Sequence, residues 1–98
     1  MTKKLDAKIA VVTGGSAGIG LGIAHRFVDE DAQVFITGRH QSELDKAVSE
    51  IRGKVSAIQA DAANLSDIDH LYEVVKAEAG RIDILARPRL LQAVEDHK

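Results

Sequence analysis

The segment TGGSAGIG, residues 13–20, gathers glycine in a spacing suited to holding an anion. Gly14 permits a tight turn. Gly18 lets the backbone approach a diphosphate closely, and Gly20 lets a following helix pack against its sheet. The segment lies between a β-branched run, IAVVT at Ile9–Thr13, and a stretch in which Ile19, Ile23, Ala24, Phe27 and Val28 recur at helical spacing. Amides at the opening of a helix face whatever precedes them, and the helix dipole adds partial positive charge there. The alternative is a plain glycine-rich turn. The strand before it and the helix after it favour a bound dinucleotide.

Two other positions fit the same ligand. About 20 residues beyond the glycines, such sites read the adenosine ribose. A carboxylate there would accept hydrogen bonds from the ribose hydroxyls and repel a 2′-phosphate. This chain instead has Gly38, Arg39 and His40. The planar fork of Arg39 matches a phosphate, which favours NADP over NAD; a solvated surface arginine is the alternative. Asp61, after a third strand, can accept a hydrogen bond from an adenine amino group or simply shape the turn into the next helix. Asn64 and Ser66 read as turn and cap residues.

The elements that must position these groups alternate regularly. After the first strand and helix come a strand at 33–37 (QVFIT) and a helix capped by Ser42, with Leu44, Ala47, Val48 and Ile51 inward and Gly53 at its end. A weaker strand, Val55–Gln59, precedes a helix capped by Ser66. Its inner face is Ile68, Leu71, Val74, Val75 and Ala79, and Gly80 stops it. A fourth strand spans 82–86, and Leu90, Leu91 and Val94 mark a short tail helix after Pro88. The order β-α-β-α-β-α-β-α predicts an α/β, three-layer Rossmann-type half-fold. Its four parallel strands run in the order 3-2-1-4, and ligands bind where the winding reverses between strands 1 and 4.

Composition agrees with one such domain and excludes much else. The chain has 98 residues, 45 % of them hydrophobic and 29 % charged, with a formal net charge of −2. This length predicts a single domain with a modest core. Cysteine is absent, which excludes disulfides, thiolate metal sites and thiol nucleophiles. No apolar run approaches the roughly 20 residues that span a bilayer, and the N-terminus has no leader pattern, so a cytoplasmic protein without a membrane partner is expected. Lys and Arg are scattered and aromatics make up 3 %, so neither a phosphate-backbone footprint nor a stacking platform for nucleic acid stands out. His25, His40, His70 and His97 show no metal-ligand spacing.

TGGSAGIG, ITGR (36–39), DAANL (61–65) and GRIDIL (80–85), in this order and spacing, resemble the short-chain dehydrogenase/reductase family over residues 8 to about 85. The resemblance implies that Gly14, Ser16 and Ile19 contact the diphosphate and nearby ribose, in the same turn as Gly18 and Gly20. It likewise implies that Arg39 and His40 lie by the 2′-phosphate, and Asp61 and Ala62 by adenine. One departure is Asp31, where the family usually ends a helix with glycine; Asp fits a left-handed cap less well.

The resemblance ends after the fourth strand. The family continues there with an Asn-Asn-Ala-Gly type segment, but here Ala86 is followed by Arg87, Pro88, Arg89 and Leu90. The family's fifth strand, catalytic Ser and Tyr-x-x-x-Lys helix would lie further on. Reduction needs an acid to protonate the developing alkoxide and an ammonium to lower that acid's pKa. The expectation is therefore a truncated dinucleotide-binding domain (1–86) with a non-family tail (87–98), weak or partial NADP binding and no hydride transfer alone. The alternatives are an oxidoreductase completed by a partner chain, or an inactive oligomerising fragment. Tyr72 and Lys76 reproduce the Tyr-x-x-x-Lys spacing, but their helix precedes the fourth strand, so Tyr72 reads as a packing residue. An unpaired fourth-strand edge, an uncovered sheet face and the tail predict a homo-oligomer.

Overall fold

The β-branched run Ile9–Thr13 forms β1, and its five residues are all buried. Such a continuous apolar strand belongs at the centre of a parallel sheet covered on both faces. A computed structural model describes residues 7–14, 18–61 and 63–87 of the chain. After β1 come α1 (Gly18–Asp29), β2 (Gln33–Gly38), α2 (Gln41–Ile51), β3 (Val55–Gln59), α3 (Leu65–Ala79) and β4 (Ile84–Ala86). The four strands form one parallel sheet in the order β3-β2-β1-β4, as the alternation predicts. The tail helix expected beyond Arg87, with Leu90, Leu91 and Val94, lies outside the described residues.

The sheet separates two apolar clusters, because side chains alternate sides along each strand. Ala10, Val12, Val34 and Ile36 pack with Ala24 of α1 and with Leu44, Ala47 and Ile51 of α2. Ile9, Val11 and Phe35 pack on the other face with Ile68, Leu71 and Val75 of α3. Three layers result. Leu71 and Phe35 are completely buried; each such side chain contributes about 1.5–3 kcal/mol. The face under α3 is thus better covered than the sequence implied. Its exposed part among the described residues is Leu85 of β4, at 39 %.

Several element ends differ from expectation for local reasons. The cap of α3 is Asn64, not Ser66: the Asn64 side chain accepts from the amides of Ser66 (2.9 Å) and Asp67 (3.2 Å). Asn64 is the residue with extended dihedrals, the geometry a cap requires. Ser42 lies inside the first turn of α2, behind a His40 cap position that makes no side-chain cap bond. That helix ends at Arg52 (φ 54), one residue before Gly53. Gly53 serves close approach instead, since a Cβ there would stand 2.9 Å from Val28 Cγ1 of α1. Ile19, expected inward, is 61 % exposed in the first turn of α1.

Asp31 occupies the left-handed seat after α1, at φ 72. The Asp31 amide donates to Val28 O (2.9 Å) and the Ala32 amide to Phe27 O (3.0 Å). This is the paired Schellman closure that glycine usually completes. Asp31 also adds negative charge at the negative end of the helix dipole. Among the described residues its ionic compensation is a long contact with Lys54, 3.9 Å, between exposed side chains. Asp31→Gly is therefore expected to stabilise the fold by about 0.5 kcal/mol despite the added chain entropy, a rise of a few degrees in a thermal melt.

The fourth strand begins at Ile84 rather than Ile82; just before it, the Asp83 amide donates to Ile9 O (2.8 Å) and the Asp83 side chain clamps the same residue. Its carboxylate accepts the Ile9 amide (2.8 Å) and Arg81 Nε (2.9 Å), while Arg81 also donates to Ala7 O (2.6 Å). The Ile9 amide, and then the Arg81 side chain, hold the Asp83 carboxyl below its ordinary value of 3.8. A depressed folded-state pKa stabilises the fold above the unfolded-state value, and that contribution is lost as pH falls through the folded-state value. The melting temperature should therefore drop more steeply from about pH 5 to about pH 3 in the native chain than in Asp83→Asn. Equal slopes would remove the clamp from the account of acid stability.

Candidate functional site

Parallel pairing brings every strand's C-terminal end to one edge of the sheet. Thr13 pairs with Thr37, and Gly38 with Gln59, so the turns after β1, β2 and β3 open on the same side. Gly14 follows β1 and Arg39 with His40 follows β2 directly, and Asp61 follows β3 after one residue, Ala60. This edge, beside the β1–β4 boundary where strand order reverses, is where ligands of such sheets lie.

The glycine turn has the backbone that its sequence implied. Gly14 (φ 70) and Gly18 (φ 57) are both left-handed, and Gly18 opens α1. Among the described residues, a Cβ at either position would meet nothing within 4 Å beyond its chain neighbours. Glycine is therefore favoured here by backbone angle rather than by a close neighbour. The first turn of α1 contains no acidic residue, so no carboxylate competes for its amides. Gly20 is buried where α1 meets the sheet. Ile19 stands exposed at the same opening. Ser16 and Ala62 lie outside the described residues. On the β4 side, Thr13 Oγ1 donates to Ala86 O (3.3 Å) and ties the ends of β1 and β4 together.

Arg39 and His40 form the whole connection between β2 and α2, and both are exposed. Among the described residues, the Arg39 guanidinium has neither a hydrogen bond nor an ion pair. The His40 side chain makes no cap bond. The two side chains thus stand together in the turn after β2, and among the described residues no hydrogen bond or ion pair holds the guanidinium. Asp61 is engaged more tightly: its Oδ1 accepts the Ala63 amide (2.9 Å), and its own amide donates to Asp67 Oδ2 (2.9 Å). One oxygen therefore shapes the turn, while Oδ2 takes no hydrogen bond from the described residues.

The sequence reading did not single out Gln59. Its Nε2 donates to Arg39 O across 2.9 Å. A polar residue at the end of β3 was a visible signal, but the register that sets it opposite Gly38 was not. Tyr72 packs against the cluster under α3, as its reading as a packing residue expects, and Lys76 is exposed. Among the described residues, no group of His, Asp and Glu could hold a metal. No described helix is long and apolar enough to cross a membrane.

A parallel 3-2-1-4 sheet covered on both faces, with a left-handed glycine turn opening its first helix, defines a Rossmann-type α/β protein. Residues 8–88 match the family described as short chain dehydrogenase, and the chain belongs to that family. It is 47 % identical over 83 residues to an oxidoreductase, asL5, of Sarocladium schorii, covering 85 % of this chain and 33 % of that protein. It is 40 % identical over 84 residues to an NADP-dependent (R)-specific alcohol dehydrogenase of Lentilactobacillus kefiri, covering 84 % and 33 %. A 3-ketoacyl-(acyl-carrier-protein) reductase of Brucella melitensis, solved in complex with NADH, superposes with a TM-score of 0.79 at 33 % identity, covering 84 % of this chain and 34 % of that one. The chain thus spans about a third of the length of these relatives.

Proposed function

We propose that these residues form the adenosine and diphosphate side of an NADP(H) site in an oxidoreductase, and that hydride transfer uses groups outside them. The observation that carries this reading is one sheet edge that bears both left-handed Gly14 and Gly18 and an Arg39 guanidinium with no ion pair among the described residues. The donor set fits the group. The α1 amides would hold the diphosphate, with Ile19 against the neighbouring ribose. Arg39 and His40 would take the 2′-phosphate, and Asp61 Oδ2 would accept from the adenine amino group. The bound nicotinamide supplies a hydride. The residues described here bind and orient the far end of the dinucleotide, and none of them sits where a carbonyl would be protonated.

Both coenzymes occur among the relatives, one named as NADP-dependent and another solved with NADH. Arg39, where a carboxylate would be needed to accept the ribose hydroxyls, supports the phosphorylated form here. Titration of the pure chain with NADPH, followed by a panel of ketones, tests the reading. Saturable binding without coenzyme oxidation is the expected result. Turnover by the pure 98-residue chain would overturn the division of labour; turnover only after a second polypeptide is added would mean that a partner completes the enzyme. Failure to bind would leave an inactive fragment.

A second reading concerns assembly. We infer self-association, because β4 is three residues long, pairs with no described strand on its outer edge and presents the exposed Leu85. Sedimentation at micromolar concentration should show a dimer or larger species, and a single monomeric species would refute it.

A further inference from the structure

The connection carrying Arg39 and His40 is held by three successive carbonyls. Gly38 O accepts the Ala60 amide (3.0 Å), and His40 O accepts the Leu44 amide in the first turn of α2 (3.1 Å). Both bonds are made by backbone and survive any change of side chain. Between them, Arg39 O accepts from Gln59 Nε2 (2.9 Å). Of the three restraints, the central one alone depends on a side chain. The 39–40 peptide is short, exposed and flanked by fixed points, so without Gln59 it can rotate while its neighbours stay in place. That rotation changes ψ of Arg39 and φ of His40, and with them the directions in which the two side chains leave the backbone.

We propose that Gln59 is a positioning residue for recognition of a 2′-phosphorylated adenosine: by holding the 39–40 peptide it aims Arg39, and with it His40, at the phosphate. This rests on the nucleotide reading given above. Gln59 sits in an exposed position at the end of an edge strand, so its truncation leaves the core untouched. Its effect falls on the phosphorylated coenzyme, because the diphosphate and adenine contacts lie on other turns.

The test compares NADPH and NADH binding to the native chain, Gln59→Ala, Arg39→Ala and the double variant. Loss of one neutral hydrogen bond that orients a charged group should weaken NADPH binding about threefold to tenfold. NADH affinity should stay within about twofold and the melting temperature nearly constant. On the Arg39→Ala background, Gln59→Ala should cost nothing more, since the group it aims is gone. In the coenzyme-free protein the His40 amide resonance, which belongs to the peptide bearing Arg39 O, should shift in Gln59→Ala. Equal losses for both coenzymes, additive losses in the double variant, or an unchanged NADPH-to-NADH ratio in Gln59→Ala would each overturn the proposal. If Arg39→Ala removes the NADPH preference and Gln59→Ala does not, only this proposal falls. If Arg39→Ala leaves the preference intact, or NADPH does not bind, the nucleotide reading falls with it.

Discussion

Replacing Gly18 with valine is expected to reduce NADPH affinity by about a hundredfold or more, equivalent to about 2.7 kcal/mol. Two effects combine. Gly18 has φ 57, a region that costs an ordinary L-residue about 1–2 kcal/mol and a β-branched one more. The valine methyls would also occupy the opening through which a diphosphate reaches the α1 amides. Gly18→Asn separates these effects, because asparagine tolerates left-handed angles but still carries a side chain. Among the described residues, nothing beyond its chain neighbours lies within 4 Å of a Cβ at this position. Gly18→Asn should therefore melt close to the native chain and still bind NADPH poorly. Near-native binding by Gly18→Asn would mean that the diphosphate does not pass this point, and the assignment of the turn would fail.

Arg39→Ala is expected to lower NADPH affinity about 10- to 100-fold while leaving NADH within about twofold. The range follows from the roughly 1.5–3 kcal/mol of a charge-assisted hydrogen bond. The guanidinium has no internal ion pair to break first among the described residues, so its charge is available to a phosphate at little cost. Its exposure means the preference should shrink as salt rises. Paired titrations at low and moderate ionic strength check both statements. Equal loss for the two coenzymes would remove the case for 2′-phosphate recognition and leave Arg39 as a solvated surface residue.

Much of this site was legible because its signals are local. IAVVT, the glycines at 14, 18 and 20, and the helical stripe after them are contiguous, and each restricts its own backbone directly. Gly80 was readable as a stop for the same reason: it takes φ 86 at the end of α3. The departure at Asp31 was readable too, and it adopts the left-handed angle expected of it. Asn64 against Ser66 was not readable. Both residue types cap helices, and the choice depends on which one the preceding Asp61 turn leaves extended. The first residue of β4 was hidden because Asp83 uses its side chain, rather than strand pairing alone, to engage Ile9.

From residue order alone follow the alternating elements, the 3-2-1-4 parallel sheet and the family, because hydrophobic period and glycine placement act over a few neighbouring residues and right-handed crossovers leave few topologies. Strand register and the packing of distant segments lie beyond that range. They bring Gln59 to Arg39, twenty positions apart in the chain, and leave the guanidinium without a partner among the described residues. They also bury Val11 and Phe35 under α3 and leave Leu85 exposed. Such contacts depend on where whole elements come to rest, and burial of the two apolar clusters, not any one residue's preference, determines that.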